Sequence, residues 1–145
     1  MIKIICVGKL KEKYLIDLVN DYKTRISKYH KIEIFELKDC NINEESIAIE
    51  KTIGKSDYVI TLDIYGTKCN SIEFKNKIEK IFNNSINNIT FIIGGSNGVN
   101  DEIKSISNEL VSFSDMTFPH GLFRGMLLEQ IYRCFKIINN ESYHK

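Results

Sequence analysis

Residues 89–98 read Ile-Thr-Phe-Ile-Ile-Gly-Gly-Ser-Asn-Gly, an apolar run that ends in a glycine-rich turn. A short apolar run bounded by glycine is typical of a strand whose two faces are both covered. The run from Tyr58 to Ile64 has the same character. Because strands of this kind occur mainly in parallel sheets with helices above and below, the two runs predict an α/β domain.

Segments on either side of these runs alternate between strand and helix patterns. Further strands are predicted at residues 2–7, 32–37 and 110–113. Apolar spacing and capping residues predict helices after Gly8, from Asn43 to about Gly54, from Asn70, from Asn100 and after Pro119. With 145 residues and no linker or repeat, the chain is predicted to be one domain, residues 1–145, built on a mostly parallel sheet with helices on both faces.

Composition narrows the possible functions. The chain has 20 Lys and Arg against 19 Asp and Glu, and this net charge of +1 is too low for a protein that coats DNA or naked RNA. The four cysteines form no C-x-x-C pair and the three histidines show no ligand spacing, so no metal site is expected. Without a long apolar segment near its start, the chain is expected to be cytoplasmic, to have no membrane contact and to keep its thiols reduced.

Three loops that follow predicted strands hold most of the candidate chemistry. Ligands of open parallel sheets bind beyond the carboxyl ends of the strands, here after Ile64, Ile93 and Phe113. The turn 94–98 lets backbone approach a ligand closely, but it matches neither a dinucleotide nor a phosphate-loop pattern, and a simple tight turn is the alternative. The segment 113–121 mixes aromatic and polar side chains, which suits a purine ring; the alternative is a helix-entry turn capped by Thr117.

The last predicted helix contains two of the three arginines, Arg124 and Arg133. Arginine suits forked contacts with phosphate or carboxylate, so the segment is a candidate for substrate binding. Glycine in a helix is less stable than Ala by about 1 kcal/mol. The presence of Gly125 in the predicted helix therefore predicts that another helix or a ligand approaches it closely. Position alone favours a packing role for His120 and a solvated side chain for His144.

Five motifs follow one another over nearly the whole chain. They are Leu62-Asp63-x-x-Gly66, Ile92-Ile93-Gly94-Gly95-Ser96-Asn97-Gly98, Ser114-x-Met116-Thr117-Phe118-Pro119-His120, Leu128-Glu129-Gln130-Ile131-Tyr132-Arg133 and Tyr143-His144-Lys145. Together they closely resemble the ribosomal RNA large subunit methyltransferase H family of SPOUT-class enzymes. The chain departs from that pattern in two places: Thr67 stands where the family often has Lys, and residues 139–142 lack the Arg-Gly frequently found there.

The resemblance implies a SPOUT fold with a C-terminal trefoil knot, a homodimer, and transfer of a methyl group from S-adenosylmethionine to N3 of a pseudouridine in large-subunit (23S) ribosomal RNA. The residues alone favour an unknotted sheet, because knots are rare. Carried over motif by motif, the implied cofactor-binding residues are Leu62, Gly94, Phe113, Ser114, Asp115, Met116, Thr117 and Phe118.

Methylation at N3 requires that the N3 proton leave, and the candidate catalytic residues are His144, Arg133 and Arg124. We hypothesise that His144 is the base, or orients a water, while an arginine stabilises charge or holds phosphate. Glu129 is expected to hold Arg133, one helical turn away. A nucleotide-binding module without catalysis and a ribosome-associated binding protein are the alternatives.

Two features of the last helix bear on partners. Its apolar band is wider than one sheet face needs, which predicts a homodimer. From Pro119 onward, four Lys and Arg oppose two Glu, which predicts that this segment recognises ribosomal RNA within the assembled large subunit better than free transcript.

Overall fold

Five strands and five helices alternate along the chain in the computed structural model, which describes residues 1–145. The strands are β1 (Ile2–Val7), β2 (Ile32–Leu37), β3 (Tyr58–Lys68), β4 (Ile89–Ile93) and β5 (Glu109–Ser112). The helices are α1 (Lys13–Ser27), α2 (Ile42–Thr52), α3 (Ser71–Asn83), α4 (Asp101–Ile106) and α5 (His120–Ile138). Every predicted element is confirmed, and only β3 extends well beyond its predicted end.

All five strands are parallel and lie in the order β2-β1-β4-β3-β5. Their carboxyl ends therefore meet at one edge of the sheet, where ligands of such folds bind. The predicted α/β class is confirmed, and the trefoil knot stays a prediction. None of the five helices combines the length and the apolar composition that a bilayer crossing requires.

The sheet is covered on both faces by buried apolar side chains. On one face, Ile2, Ile4 and Cys6 of β1 join a cluster of 20 buried residues that includes the inward sides of α1, α3 and α5. On the other face, Ile5 and Val7 join a cluster of seven that includes Ile49 of α2 and Ile103 of α4. Burial on both faces explains why the strands read as continuous apolar runs.

Helix α5 is buried within this single chain over most of its circumference. It packs against α1 on one side and α3 on the other as well as covering the sheet. Its fully buried apolar side chains are Leu127, Leu128, Ile131, Tyr132, Cys134 and Phe135. Contacts inside the chain therefore account for the wide apolar band, so that band is not evidence for a dimer, and the homodimer stays a prediction.

Strand β3 leaves its partner β5 and then returns to it. Leu62 and Thr67 both lie in register with Val111, so residues 63–66 form an excursion at the sheet edge. A Cβ on Gly66 would lie 2.6 Å from the carbonyl carbon of Leu110, which only glycine avoids. This close approach gives a physical reason for the glycine of the Leu62-Asp63-x-x-Gly66 motif.

Gly125 lies where α5 crosses α1. A Cβ built at this position would lie 2.5 Å from Cδ2 and 3.0 Å from Cγ of Leu18. The predicted close contact is therefore a contact between helices, and it lets α1 pack closely against α5.

We expect Gly125→Leu to lower the free energy of unfolding by about 1–3 kcal/mol, because extra methylene groups must displace Leu18 from a packed contact. Urea denaturation of Gly125→Leu, Leu18→Ala and the double variant measures the coupling between the two positions. The double variant should be more stable than the sum of the single effects predicts, by at least about 0.5 kcal/mol. Additive effects would contradict the contact.

Candidate active site

A cavity of about 310 Å³ lies at the carboxyl ends of β3, β4 and β5, where the first turn of α5 also begins. Its wall contains seven of the eight residues implied as cofactor-binding: Leu62, Gly94, Phe113, Ser114, Met116, Thr117 and Phe118. The structure thus brings together three loops that are separated by up to 50 residues in the sequence. The eighth residue, Asp115, lies outside the wall and pairs with Lys68 at 2.5 Å.

The wall of the cavity combines apolar and polar side chains. Ile93, Val111 and Phe123 supply apolar surface, while Asp63, Ser96 and other hydroxyl-bearing side chains supply hydrogen-bonding groups. A ligand with a flat ring and polar edges suits such a wall, because apolar surface buries the ring while a few polar groups fix its orientation.

The turn 94–98 folds back on itself beside the cavity. Gly98 donates a backbone hydrogen bond to the Gly95 carbonyl at 3.0 Å, and Gly98 has a φ of +72°. A Cβ on Gly94 would lie 2.6 Å from the Gly98 carbonyl carbon, whereas a Cβ on Gly98 would meet no atom within 4 Å. The turn is therefore tight at Gly94 and open at Gly98: the predicted tight turn is confirmed, and the approach of a ligand to its backbone stays a prediction.

The segment that follows β5 is held by its own polar groups. Ser112 donates to the Ser114 carbonyl at 3.0 Å, and the Ser114 hydroxyl accepts from the Met116 amide at 3.0 Å. Met116 is 72% exposed at the cavity wall. Thr117 does not cap α5, since the helix has Pro119 at its N-cap and no side-chain cap bond, so that alternative was wrong.

Arg124, one of the candidate catalytic residues, is buried away from the cavity. The residue is 1% exposed and lies outside the cavity wall. Nη1 donates to Glu36 at 2.6 Å and Nη2 donates to the Gly8 carbonyl at 3.1 Å. In this chain the Arg124 guanidinium joins α5 to the ends of β1 and β2.

The C-terminal tail folds back onto α5 and forms a cluster that we call the tail cluster: Glu129, Arg133, Tyr143 and His144. Arg133 donates to Glu129 at 2.6 Å, which confirms the expected pair, and its Nη1 lies 3.0 Å from Nδ1 of His144. Tyr143 donates to the same Glu129 carboxylate at 3.0 Å. Burial, followed by hydrogen bonds with Tyr22 and Glu129, raises the pKa of Tyr143, so this tyrosine stays protonated as a donor.

The tail cluster and the cavity lie at different places along α5. Arg133 is ten residues beyond Phe123, the last residue of α5 at the cavity wall, which is about 15 Å at 1.5 Å per residue. No residue of the tail cluster lines the cavity. Within one chain, therefore, the implied catalytic residues His144 and Arg133 do not line the cavity, although their neighbour Glu129 shares an adjoining groove with Phe113.

The positive charges of the C-terminal segment are largely neutralised inside the chain. Arg124 pairs with Glu36, Arg133 with Glu129, and Lys136 with Glu141 at 2.8 Å. Only Lys145 has no carboxylate partner. Of the excess of two positive charges counted from the sequence, the Arg124 pair with Glu36 therefore neutralises one, and only the charge of Lys145 is left unpaired.

Comparison with known proteins identifies the chain's relatives. A family model described as "Predicted SPOUT methyltransferase" matches residues 1–144. The ribosomal RNA large subunit methyltransferase H of Clostridium tetani is 46% identical over 99% of each chain. The protein of the same name from Acetivibrio thermocellus is 41% identical over 99% of each chain. The chain belongs to this family.

Solved structures with the same fold are far more distant in sequence. A probable methylase family protein from Haemophilus influenzae has a TM-score of 0.61 at 10% identity, covering 99% of this chain and 70% of that one. The SpoU methyltransferase AviRb from Streptomyces viridochromogenes, solved in complex with AdoMet, has a TM-score of 0.50 at 9% identity, covering 90% of this chain and 56% of that one. These likenesses show a shared SPOUT fold.

Two ionisable residues of the cavity wall were not among the implied site residues. His120 lines the cavity, and its Nε2 would lie 3.8 Å from a Cβ on Gly8. Asp63 also lines it, and its carboxylate lies 3.7 Å from Lys104. Both Asp63 and His120 lie inside family motifs, and this position was the only indication of a role that the sequence offered. A single histidine after Pro119 has no distinctive spacing of its own.

The remaining candidate chemistry is inert in the fold. No group of His, Cys, Asp and Glu side chains could hold a metal ion. Burial raises the pKa of the Cys6 thiol to about 11 and that of Cys134 to about 12, so neither is a thiolate at neutral pH. Both cysteines pack in the buried core.

We expect Glu36→Ala to lower the free energy of unfolding by about 2 kcal/mol, because it leaves the buried Arg124 guanidinium without its carboxylate. The loss should be smaller than for a fully buried ion pair, because the Glu36 side chain is partly exposed. Glu33→Ala, on the same strand, is the control, since Glu33 makes only a 3.7 Å contact with Lys31. Urea denaturation measures both. Equal losses in the two variants would show that the Arg124 pair contributes nothing special.

Proposed function

We propose that this protein transfers a methyl group from S-adenosylmethionine to large-subunit ribosomal RNA, with N3 of a pseudouridine as the acceptor. The observation that carries the proposal is the strand-end cavity, whose wall is built from three of the family motifs. The curated relatives bear the name of this activity. A ribosomal substrate also places the protein in the cytoplasm.

The cavity fits the proposed cofactor. Its volume lies at the lower end of the usual range for small-ligand sites, about 300–1,000 Å³. Gly98 leaves open space beside the wall, Phe113 and Phe118 offer apolar surface for an adenine ring, and Asp63 offers a carboxylate for hydroxyl or cationic groups. S-adenosylmethionine supplies an electrophilic methyl group when bound.

The acceptor base must be held in line with that methyl group and must lose the N3 proton. Arg133 can only donate, so the 3.0 Å contact makes Nδ1 of His144 the acceptor. A neutral His144 then carries its proton on Nε2. In this arrangement His144 acts better as a donor that stabilises negative charge on the base, or as the residue that orients a water, than as a direct base.

A homodimer would bring the tail cluster of one copy to the cavity of the other. The support for this is the separation of cluster and cavity within one chain, together with exposed apolar side chains close to the cavity. Ile64 and Met116 line the cavity and are 37% and 72% exposed, and Tyr65, next to Ile64, is 88% exposed. Exposed apolar side chains gathered in one place mark an interaction surface.

The cofactor proposal predicts that Gly94→Ala weakens binding of S-adenosylhomocysteine by at least about tenfold, because the added Cβ must distort the turn. A loss of about 1.4 kcal/mol in binding free energy corresponds to a tenfold loss of affinity. Asn97→Ala, an exposed change in the same turn that does not touch the cavity wall, should bind as the parent does. Isothermal calorimetry measures both affinities, with circular dichroism as the folding check. An unchanged affinity in folded Gly94→Ala would refute the site.

The reaction is tested by transfer of a labelled methyl group to ribosomes, large subunits and extracted RNA from a strain that lacks the modification. We expect methylation of assembled subunits to be much faster than that of extracted RNA. His144→Ala should lower the rate by about 10²-fold or more and leave S-adenosylhomocysteine affinity intact. Equal rates on all three substrates would refute recognition of an assembled surface.

Arg133→Ala should also lower the rate, because it removes the group that holds His144. Its control is Lys80→Ala, an exposed position with no ion pair. Lys77, on the same helix, is unsuitable as a control because it pairs with Glu109 at 2.7 Å. Full activity of Arg133→Ala would remove the tail cluster from the mechanism.

The dimer proposal predicts complementation between two impaired variants, assayed at an S-adenosylmethionine concentration too low to saturate Gly94→Ala. Mixed Gly94→Ala and His144→Ala chains would form heterodimers in which one intact cavity meets one intact tail, so part of the activity should return after subunit exchange. Light scattering at micromolar concentration should report twice the chain mass of 16.8 kDa. A monomeric mass, or no recovery in the mixture, would count against a shared site.

A further inference from the structure

A second concave site lies on the β1 and β2 side of the same sheet edge. This groove has a volume of about 260 Å³ and runs between α1 and β2. Its charged and amide side chains are Lys9, Asn20, Lys23, Glu36 and Arg124. Three cations therefore face one carboxylate in a chain whose whole net charge is +1.

The groove holds positive charge that the rest of the fold does not neutralise. Neither Lys9 nor Lys23 has an ion-pair partner, and both line the groove. The buried Arg124 guanidinium shares one carboxylate, Glu36, and its Nε has no hydrogen-bond partner. The groove is thus a place of free positive charge, unlike the C-terminal segment.

The backbone that carries Lys9 is held on both sides. The Gly8 amide donates to the Leu37 carbonyl at 2.8 Å and the Gly8 carbonyl accepts from Arg124. The Leu10 amide donates to Glu36 at 3.1 Å. Lys9 therefore projects from a segment fixed by the Arg124 and Glu36 pair, which lowers the entropy that an ordered contact costs.

The groove and the cavity are neighbours. Gly8 joins the groove to His120, since a Cβ on Gly8 would lie 3.8 Å from Nε2 of His120, which lines the cavity. A polynucleotide whose reacting base lies at the cavity would run its backbone along this edge of the sheet. Phosphates next to that base then come within reach of the groove.

We propose that this groove binds a phosphate of the ribosomal RNA backbone beside the methylated nucleotide, with Lys9 and Lys23 as its direct ligands. The inference rests on the proposed function for the identity of the RNA. Arg124 is a positioning residue here, because it fixes the Lys9 segment and adds charge from beneath. Ammonium groups suit this task, since phosphate contacts set orientation without reading sequence.

The test measures binding to large ribosomal subunits that lack the modification, between about 50 and 200 mM salt. It compares Lys9→Ala/Lys23→Ala with Lys55→Ala/Lys80→Ala, which removes the same charge from exposed, unpaired positions outside the groove. We expect the groove variant to bind subunits about tenfold more weakly than the parent. The slope of log K against log salt should become shallower by about 1 to 2 units, because binding with fewer phosphate contacts releases fewer counterions. The control variant should stay close to the parent.

In the methyl-transfer assay the groove variant should show a raised KM for subunits with little change in kcat, and unchanged affinity for S-adenosylhomocysteine, whereas the control variant should match the parent. Groove and control variants that bind alike would overturn the proposal. A loss of affinity for subunits without any change in the salt slope would show that the groove contacts something other than phosphate and overturn it too. Groove-dependent binding without any methyl transfer by the parent would instead refute the proposed function and leave the phosphate site standing.

Discussion

The Arg124 guanidinium is the interaction on which the arrangement of the functional edge depends. Helix α5 begins with no side-chain cap and no acidic residue in its first turn, so its N-terminus gains little from local interactions. Arg124 ties that first turn to Glu36 at the end of β2 and to the Gly8 carbonyl after β1. Burying a guanidinium carries a large desolvation cost, which only a close carboxylate and satisfied donors offset. The position of His120 in the cavity therefore depends on a contact made four residues further along the helix.

Most of the fold could be predicted from the sequence because its strands are buried on both faces and its helices are amphipathic. Runs such as 2–7 and 89–93 are short, β-branched and bounded by glycine or loop residues, and both were placed to the residue. The extension of β3 to Lys68 could not be read in the same way, because the excursion at 63–66 interrupts the strand pattern. Gly66 was visible in the sequence, but its reason, the nearby backbone of Leu110, is a contact made 44 residues later.

The candidate site was predictable where it lies on strand-end loops and unpredictable where it depends on long-range pairing. Seven implied cofactor residues meet at one cavity because parallel strands end at one edge. Arg124 was misplaced because a rare arginine in a helix gives no sign of whether it faces solvent or a carboxylate 88 residues away. The charge count was affected in the same way: after Pro119 the sequence leaves an excess of two positive charges, and the Arg124 pair with Glu36 neutralises one of them, which leaves only Lys145 unpaired.

The distribution of charge explains how a nearly neutral chain can act on RNA. With +1 overall, long-range attraction to phosphate is weak, so affinity has to come from a few fixed contacts and from shape. The Arg124 and Glu36 pair contributes to both requirements, since it anchors the helix that starts at the cavity and fixes the backbone on either side of Lys9. Because the cavity and the groove share this anchor, a base at one and a phosphate at the other would be held in a fixed relation. Such positioning is the largest contribution that a protein can make to a methyl transfer whose reactive group is supplied by the cofactor.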